Sequence, residues 1–421
     1  MNVTKKWLWL FAVVTLTLPL HGQQLDSLDI KIGQMILIGM PKAEVDPKVL
    51  EEVRLGKAGA IIFFEKNIPR SNSYMAFKKM AWTYQQAAPI PLLISIDQEG
   101  GLVNRLKEKY GFPRSISAMQ MGRDALLDSV RFYGASTGAT LAGLGINLNF
   151  APDVDVAVNP DNPVIVKKER AFSDNEEAVA TMAKEFVKTH RKVNVLTALK
   201  HFPGHGSSFV DTHLGLADVT NTWQARELVP FKRLIDSGYA DMVMTSHIVN
   251  QKLDPSGLPG TLSKRVLDSL LRKQMGYNGV IVSDDMQMHA ITLHYGLDEA
   301  IKLAVNAGVD IMCFANNIQG SEERTVDKVH TIIRQFVNQG IISASRIDES
   351  YRRVMKLKER LTADPVRFYD RTLVAQQQEI DSLQKQTQEA QVELEKAKET
   401  ITNLEQILSE ATSKKKKKKK R

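Results

Sequence analysis

Four segments of this 421-residue chain carry residue types that do chemistry at close spacing. The densest is Lys200-His201-Phe202-Pro203-Gly204-His205-Gly206. His201 and His205 stand four apart, a zinc spacing on a helix, but Pro203 and Gly204 between them argue for a strand and a tight loop instead. Lys200 then offers a fixed cation to a hydroxyl-rich ligand. Next comes Asp211-Thr212-His213. A carboxylate two residues before a histidine can accept from one ring nitrogen and leave the other to give or take a proton. Ser283-Asp284-Asp285-Met286 closes an apolar run. Two adjacent carboxylates can hold a metal, or one can act as a nucleophile. Side chains alternate along a strand, so one of the two faces the centre. Asp284 is the better candidate to attack an anomeric carbon, and the other caps the next helix. The fourth segment, Asp97-Gln98-Glu99-Gly100-Gly101, places Asp97 to accept from neighbouring sugar hydroxyls, with Arg105 and Arg170 as donors to a substrate oxygen.

The elements that must position these groups are legible as alternating strands and helices. Short apolar runs fall at Gln34–Ile38, Ala60–Phe64, Leu92–Ile96, Asn147–Phe150, Val195–Lys200, Met242–Ser246, Gly279–Ser283 and Asp310–Phe314. Helical patterns lie between them, among them Glu176–His190, Trp223–Ser237 and Leu297–Ala307. Repeated βα units imply a parallel sheet covered by helices, and eight of them suit a closed (β/α)8 TIM barrel. An open doubly wound sheet would more naturally carry a glycine-rich dinucleotide turn after an early strand, and none is present. The barrel also explains where the polar residues fall. Asp97, Asp153, Asp155, Lys200, His201, His247, Asp284 and Asp285 all follow or end strand runs, so all point into one C-terminal mouth. Delivering that many ionisable groups to one rim is costly without a polar ligand.

The ends of the chain are of other kinds. Lys5 and Lys6 precede the apolar stretch Trp7–Leu20, which is too short for a comfortable span. Residues 1–22 are expected to be a cleaved signal peptide, exporting the protein to the periplasm, cell envelope or medium. With one cysteine, Cys313, there is no internal disulfide, and a large core must do without one. Leu373, Ile380, Thr387, Leu394, Ile401 and Leu408 repeat every seven residues, with Gln376, Leu383, Ala390, Ala397 and Leu404 three after them. That is a coiled-coil seam over residues 372–410, expected to make a homo-oligomer, with Glu393 and Lys398 placed to pair between chains. Residues 414–421, seven lysines and an arginine, form a disordered polybasic tail suited to an anionic envelope polymer or a lipid surface. The tail also accounts for the net charge: 8 − 8 = 0 for everything else. Composition therefore gives no reason to expect nucleic-acid binding. The 43% hydrophobic and 25% charged usage excludes a wholly disordered or collagen-like chain, and with an unbroken apolar run only at the extreme N-terminus a polytopic membrane protein is excluded too.

Taken together, the motifs resemble glycoside hydrolase family 3, in its bacterial β-N-acetylglucosaminidase branch. The carrying strings are Ile96 to Gly101, Asn149-Phe150-Ala151-Pro152-Asp153-Val154-Asp155, Arg170-Ala171-Phe172-Ser173-Asp174, Lys200 to Gly206, Asp211-Thr212-His213 and Val282 to Met286. They occur in family order across residues 25–361, which the resemblance makes the catalytic (β/α)8 barrel. It implies a retaining hydrolase with Asp284 as nucleophile, His213 as general acid/base and Asp211 as its dyad partner. Asp97, Arg105, Arg170, Lys200 and His201 match the family's sugar-binding positions. No metal or organic cofactor is implied, and the expected partner is an N-acetylglucosamine-containing, cell-wall-derived glycan. Many family β-glucosidases draw their acid/base glutamate from a second domain; here a heptad helix follows the barrel, so the Asp–His pair takes that role. Leu102 stands where an arginine is common, Ser207 replaces a frequent aspartate and Thr212 a frequent serine. These departures bear on the aglycone rather than the reaction. The competing readings are a β-glucosidase or phosphorylase of the same fold, a metal-dependent barrel hydrolase using His201, His205 and the Asp284–Asp285 pair, and a non-catalytic envelope-binding protein.

Overall fold

Eight short strands close on themselves: β1 Ile36–Gly39, β2 Ala60–Phe63, β3 Leu93–Ile96, β4 Leu148–Asn149, β5 Leu196–Phe202, β6 Met242–Thr245, β7 Val280–Asp285 and β8 Ile311–Phe314. Each pairs in parallel with its neighbours in chain order, and β8 pairs back with β1. The protein is thus a (β/α)8 barrel in this computed structural model, which describes residues 27–123, 127–211, 215–316, 325–362, 388–389, 391–398 and 400. The described residues fall into two units, one up to Lys358 and one from Glu359.

The strands form where the sequence is uninterruptedly apolar because both faces are covered: β1, β2 and β3 are buried at every position. The helices between them carry their own start and stop signals. In the helix Glu176–Arg191, Asn175 caps the first turn by accepting from the Ala178 N–H. Glu176 and Glu177 sit in that turn, and Lys188, His190 and Arg191 in the last, so both ends oppose the helix dipole. Its apolar stripe, with Val179, Met182, Phe186 and Val187, packs into the core.

Three details differ from the sequence expectation. The fifth strand runs on to Phe202 instead of stopping at Lys200. The helix expected over Trp223–Ser237 begins as a 3-10 turn, Ala225–Leu228, before the α-helix Val229–Asp236, because Pro230 suits only a helix's first turn. Two short strands outside the barrel, Ala217–Asp218 and Ile248–Val249, pair with each other and were not anticipated.

The expected signal segment, the polybasic tail and most of the heptad repeat lie outside the described residues. In the second unit, 391–398 is helical, Leu394 of the seam is 56% exposed, and Lys398 pairs with Glu395 of the same chain at 2.7 Å. Among the described residues no helix is long and apolar enough to cross a membrane.

Candidate active site

The C-terminal ends of the strands surround a cavity of about 790 Å3. Asp97, Arg105, Arg170, Lys200, His201 and Asp284 all line it. Six residues separated by up to 187 positions meet there because each follows or ends a barrel strand or the loop beyond it.

The site is built from the third strand outward. Asn149, at the end of β4, accepts from the Gln98 N–H (3.0 Å) and donates to the Gln98 carbonyl (3.0 Å). Its amide also faces His190 Nε2 at 3.1 Å, while His190 Nδ1 lies 3.1 Å from the Phe186 carbonyl. Burial pushes His190 down to about 4, so the ring is neutral; the network then assigns the proton to Nδ1. This brace fixes the Asp97-Gln98-Glu99 segment. The Gln98 carboxamide then accepts from the Arg105 and Leu106 N–H groups, at 2.9 and 3.1 Å, and so sets where Arg105 departs. Gly100 makes the turn possible: φ is 100°, and a Cβ there would stand 2.1 Å from the Ile116 carbonyl oxygen.

Asp97 and Glu99 converge on Lys200, at 2.9 and 2.6 Å. Glu99 also receives Arg170 through two parallel bonds of 2.8 Å each. Arg105 reaches the other Asp97 oxygen at 3.4 Å. Lys200 and His201 are consecutive yet both line the cavity, because the register between β5 and β6 shifts between Leu199 and Phe202 and breaks the usual alternation. Burial raises the Asp97 carboxyl, but Lys200 and Arg105 outweigh it and hold it below the usual carboxylate range. Glu99 is likewise desolvated, and Arg170 with Lys200 drives it far down.

Behind this layer lie Asp153 and Asp155, both fully buried. Asp155 binds His201 Nδ1 at 2.7 Å and accepts from the His205 N–H at 2.7 Å. Burial opposes its ionisation, but His201 overcomes that and lowers it. Asp153 goes the other way: burial and the neighbouring Asp155 charge raise it well above the ordinary range. Asp153, Asp155 and His201 lie close enough together to enclose a cation. The Arg170 guanidinium already stands 3.3 Å from Asp153, and Asp155 is already engaged by N–H donors, so this donor set suits a cation poorly. His205, pushed down to about 4 by burial, sits edge-on to His201 at 5.9 Å between centroids. Asp155, through His201 Nδ1 and the His205 N–H, brings the two histidines together.

At the opposite wall, β7 presents Asp284 to the cavity. Its Oδ1 accepts from the Asp285 N–H at 2.8 Å. Asp285 lines the cavity as well, so both carboxylates of the pair reach it and not one as expected; its Oδ1 accepts from the Gln287 and Ala315 N–H groups, clipping β7 to the end of β8 instead of capping a helix. His247, expected at the mouth, does not line the cavity. Its ring bridges Thr261 Oγ1 at 2.8 Å and the Asp285 carbonyl at 3.0 Å, bracing the strand that carries Asp284. Arg170 is also less available than its type suggested: Glu99, His201 Nε2 and the Val164 carbonyl take most of its N–H groups. Asp211 lies 3.6 Å from Lys168, which lines the cavity. His213 lies outside the described residues.

Asp153 and Asp155, expected at the mouth like His247, stand behind it and do not line the cavity, whereas Glu99, assigned no role from sequence, does. Asp97 and Glu99 stand two apart, as do Asp153 and Asp155, the period that puts both on one face of extended backbone.

The model of the glycosyl hydrolase family 3 N terminal domain matches residues 27–357. A beta-hexosaminidase of Tolumonas auensis is 32% identical over 68% of this chain and 84% of its own length. Beta-hexosaminidase A of Pseudoalteromonas piscicida is 31% identical over 75% of this chain, which spans only 55% of that relative. Among solved structures, a family 3 beta-N-acetylglucosaminidase from Paenibacillus sp. superposes with a TM-score of 0.74 at 34% identity, covering 80% of this chain and 63% of the other. A beta-N-acetylhexosaminidase from Beutenbergia cavernae gives 0.71 at 29% identity, covering 80% and 99%. With the family model spanning the whole barrel and the relatives matched along it, the chain belongs to glycosyl hydrolase family 3.

Proposed function

We propose that this chain is a retaining β-N-acetylglucosaminidase that removes terminal β-linked N-acetylhexosamine from cell-wall-derived glycans. The observation that carries the reading is Asp284 facing, across one cavity, the Lys200–Asp97–Glu99 cluster. Carboxylates and cations in that arrangement suit a ring of hydroxyls, with a nucleophile beneath it.

In the first step an Asp284 oxygen bonds to the anomeric carbon as the bond to the aglycone oxygen breaks. His213 gives its proton to that oxygen, and Asp211 stabilises the imidazolium before transfer. In the second step His213 takes a proton from water, the water oxygen bonds to the anomeric carbon, and the Asp284 ester breaks. Two displacements leave the configuration unchanged. Asp97, Lys200 and Arg105 hold hydroxyls, while Arg170 and His201 border the same cavity and keep Glu99 and Asp155 in place. Export through residues 1–22, oligomerisation through residues 372–410 and anionic-surface binding by residues 414–421 belong to the same proposal.

Release of p-nitrophenol from the β-N-acetylglucosaminide and the β-glucoside tests it. The expected result is fast cleavage of the N-acetyl substrate, unaffected by EDTA or by added phosphate. Phosphate stimulation would assign a phosphorylase, and chelator loss a metal enzyme. Asp284→Asn is expected to lower turnover by at least about 1,000-fold with an unchanged melting temperature. Turnover near that of the unmodified protein would refute the assignment.

A further inference from the structure

Glu227 belongs to none of the motifs, yet it is fully buried. It sits in the 3-10 turn Ala225–Leu228, against the loop that follows β5. One carboxylate oxygen accepts from the Gln224 N–H of its own turn at 3.1 Å. The other accepts from the Ser207 N–H at 3.2 Å. Gly204 has φ of 114°, and a Cβ there would lie 2.6 Å from Glu227 Cβ, so loop backbone and acid side chain are in direct contact.

The loop changes character just beyond this point. His205 and Ser207 are buried, and Ser208 is 1% exposed. Asn162 donates to the His205 carbonyl at 2.7 Å, and Asn159 to the Ser208 carbonyl at 2.8 Å. Phe209 and Val210 are then 63% and 45% exposed, and Asp211 follows. Ser207 is therefore close to the last clamped residue before the chain emerges, four positions from Asp211. Among the described residues, Glu227 supplies the acceptor for its N–H.

We infer that Glu227 is a positioning residue for proton delivery: its carboxylate anchors the Ser207 backbone, and with it the root of the segment from which Asp211 issues. The inference rests on the proposed acid/base role of the Asp211–His213 pair. A neutral amide would not serve as well. Glutamine has one oxygen, so its NH2 would face either the Gln224 or the Ser207 N–H, donor against donor. Burial pushes the Glu227 carboxyl up to about 7, with the Gln224 and Ser207 bonds opposing. A group desolvated to that degree is costly to keep in a fold for packing alone.

The test compares aryl β-N-acetylglucosaminides with poor and good leaving groups, phenyl against 2,4-dinitrophenyl. A phenolate that departs unaided needs no proton, so kcat/KM for the dinitrophenyl substrate does not register acid catalysis. For Glu227→Gln the expected result is a fall in kcat/KM of about 10- to 100-fold on the phenyl substrate and less than about threefold on the dinitrophenyl one. On the latter, kcat and KM should fall together, because the glycosyl-enzyme waits on a misplaced base. Glu227→Asp, which keeps the charge but withdraws it by one methylene, should lie between. The ratio of the two substrates is independent of how much enzyme folds, so a purely structural role leaves it at the unmodified value. An unchanged ratio in both variants overturns the inference. Asp284→Asn run alongside separates the two failures: if it is inactive and the ratio is flat, Glu227 alone is misread. If it turns over, the proposed reaction falls and this inference with it.

Discussion

Both ends of the barrel bury charge, and they do it differently. At the mouth, Asp97, Glu99, Arg170 and Lys200 satisfy one another around an open cavity of about 790 Å3. At the other end, Asp310 is fully buried between Arg272 (2.7 Å), Arg346 (3.1 Å) and Arg353 (3.2 Å), with Ser350 Oγ at 2.8 Å. Those arginines continue into backbone: Arg272 donates to the Gly279 and Gly308 carbonyls, Arg346 to those of Val305 and Val309. The lower network ties strand starts to the C-terminal helix Ala344–Thr362 and is closed by peptide groups. The upper one is closed mainly by its own charges, with the Val164 carbonyl and His201 Nε2 completing Arg170, and borders the cavity. Buried charge is therefore closed off by peptide groups at one end and left open to a cavity at the other, the division expected of a barrel whose loops after the strands carry function.

Substitutions that remove one charge from each network should separate the two roles. The largest effect is expected for Glu99→Gln. Arg170 and Lys200 would lose the carboxylate they share, and kcat/KM of the folded protein should fall by about 100- to 1,000-fold. Steady-state kinetics, normalised to folded protein by circular dichroism, read this directly. Asp310→Asn comes next and should do the reverse. It removes the carboxylate that three guanidinium groups share, and stability measured by urea denaturation should drop by about 3 kcal/mol, while the kcat/KM of folded molecules stays unchanged. If Asp310→Asn impaired folded enzyme as much as Glu99→Gln did, the division between the ends would collapse.

The contrast also explains what could be read from sequence. All eight barrel strands were visible, because a parallel strand covered on both sides must be continuously apolar. Asp97, Lys200 and Asp284 were visible because strand ends announce the mouth. What sequence could not supply was who pairs with whom. Arg170 reads as a free donor until Glu99, 71 positions away, is found to hold it. His247 reads as a mouth residue until the Asp285 carbonyl, 38 positions on, claims its ring. Glu227 carries no motif at all, since its meaning lies in a backbone N–H of a distant loop. Ionisable side chains at strand ends can be counted in advance, but their allocation between ligand and protein is a tertiary fact. Most of the heptad repeat, the expected signal segment and His213 were equally explicit in the sequence and lie outside the described residues.

The smallest effect sharpens the lower end of the comparison. Lys358 is fully buried, and among the described residues its ammonium meets carbonyl oxygens and no carboxylate: it donates to Gln34 Oε1 at 2.6 Å and the Gly59 carbonyl at 2.8 Å. Burial pushes it from 10.5 down to about 7. Between those values the unfolded chain holds a proton that the folded chain has released, so folding stability must rise with pH across that window. The gain is complete above the unfolded value and is lost as pH falls through about 7. Each unit is worth about 1.4 kcal/mol, so from pH 7 to 8.5 the protein should gain about 2 kcal/mol relative to Lys358→Met, which cannot titrate. Urea midpoints of both proteins at the two pH values measure it. A constant difference would mean that two carbonyl oxygens suffice to keep the ammonium charged inside the barrel. Lys358 would then be a buried charge held by dipoles alone, in contrast to the mutual pairing of charges at the mouth.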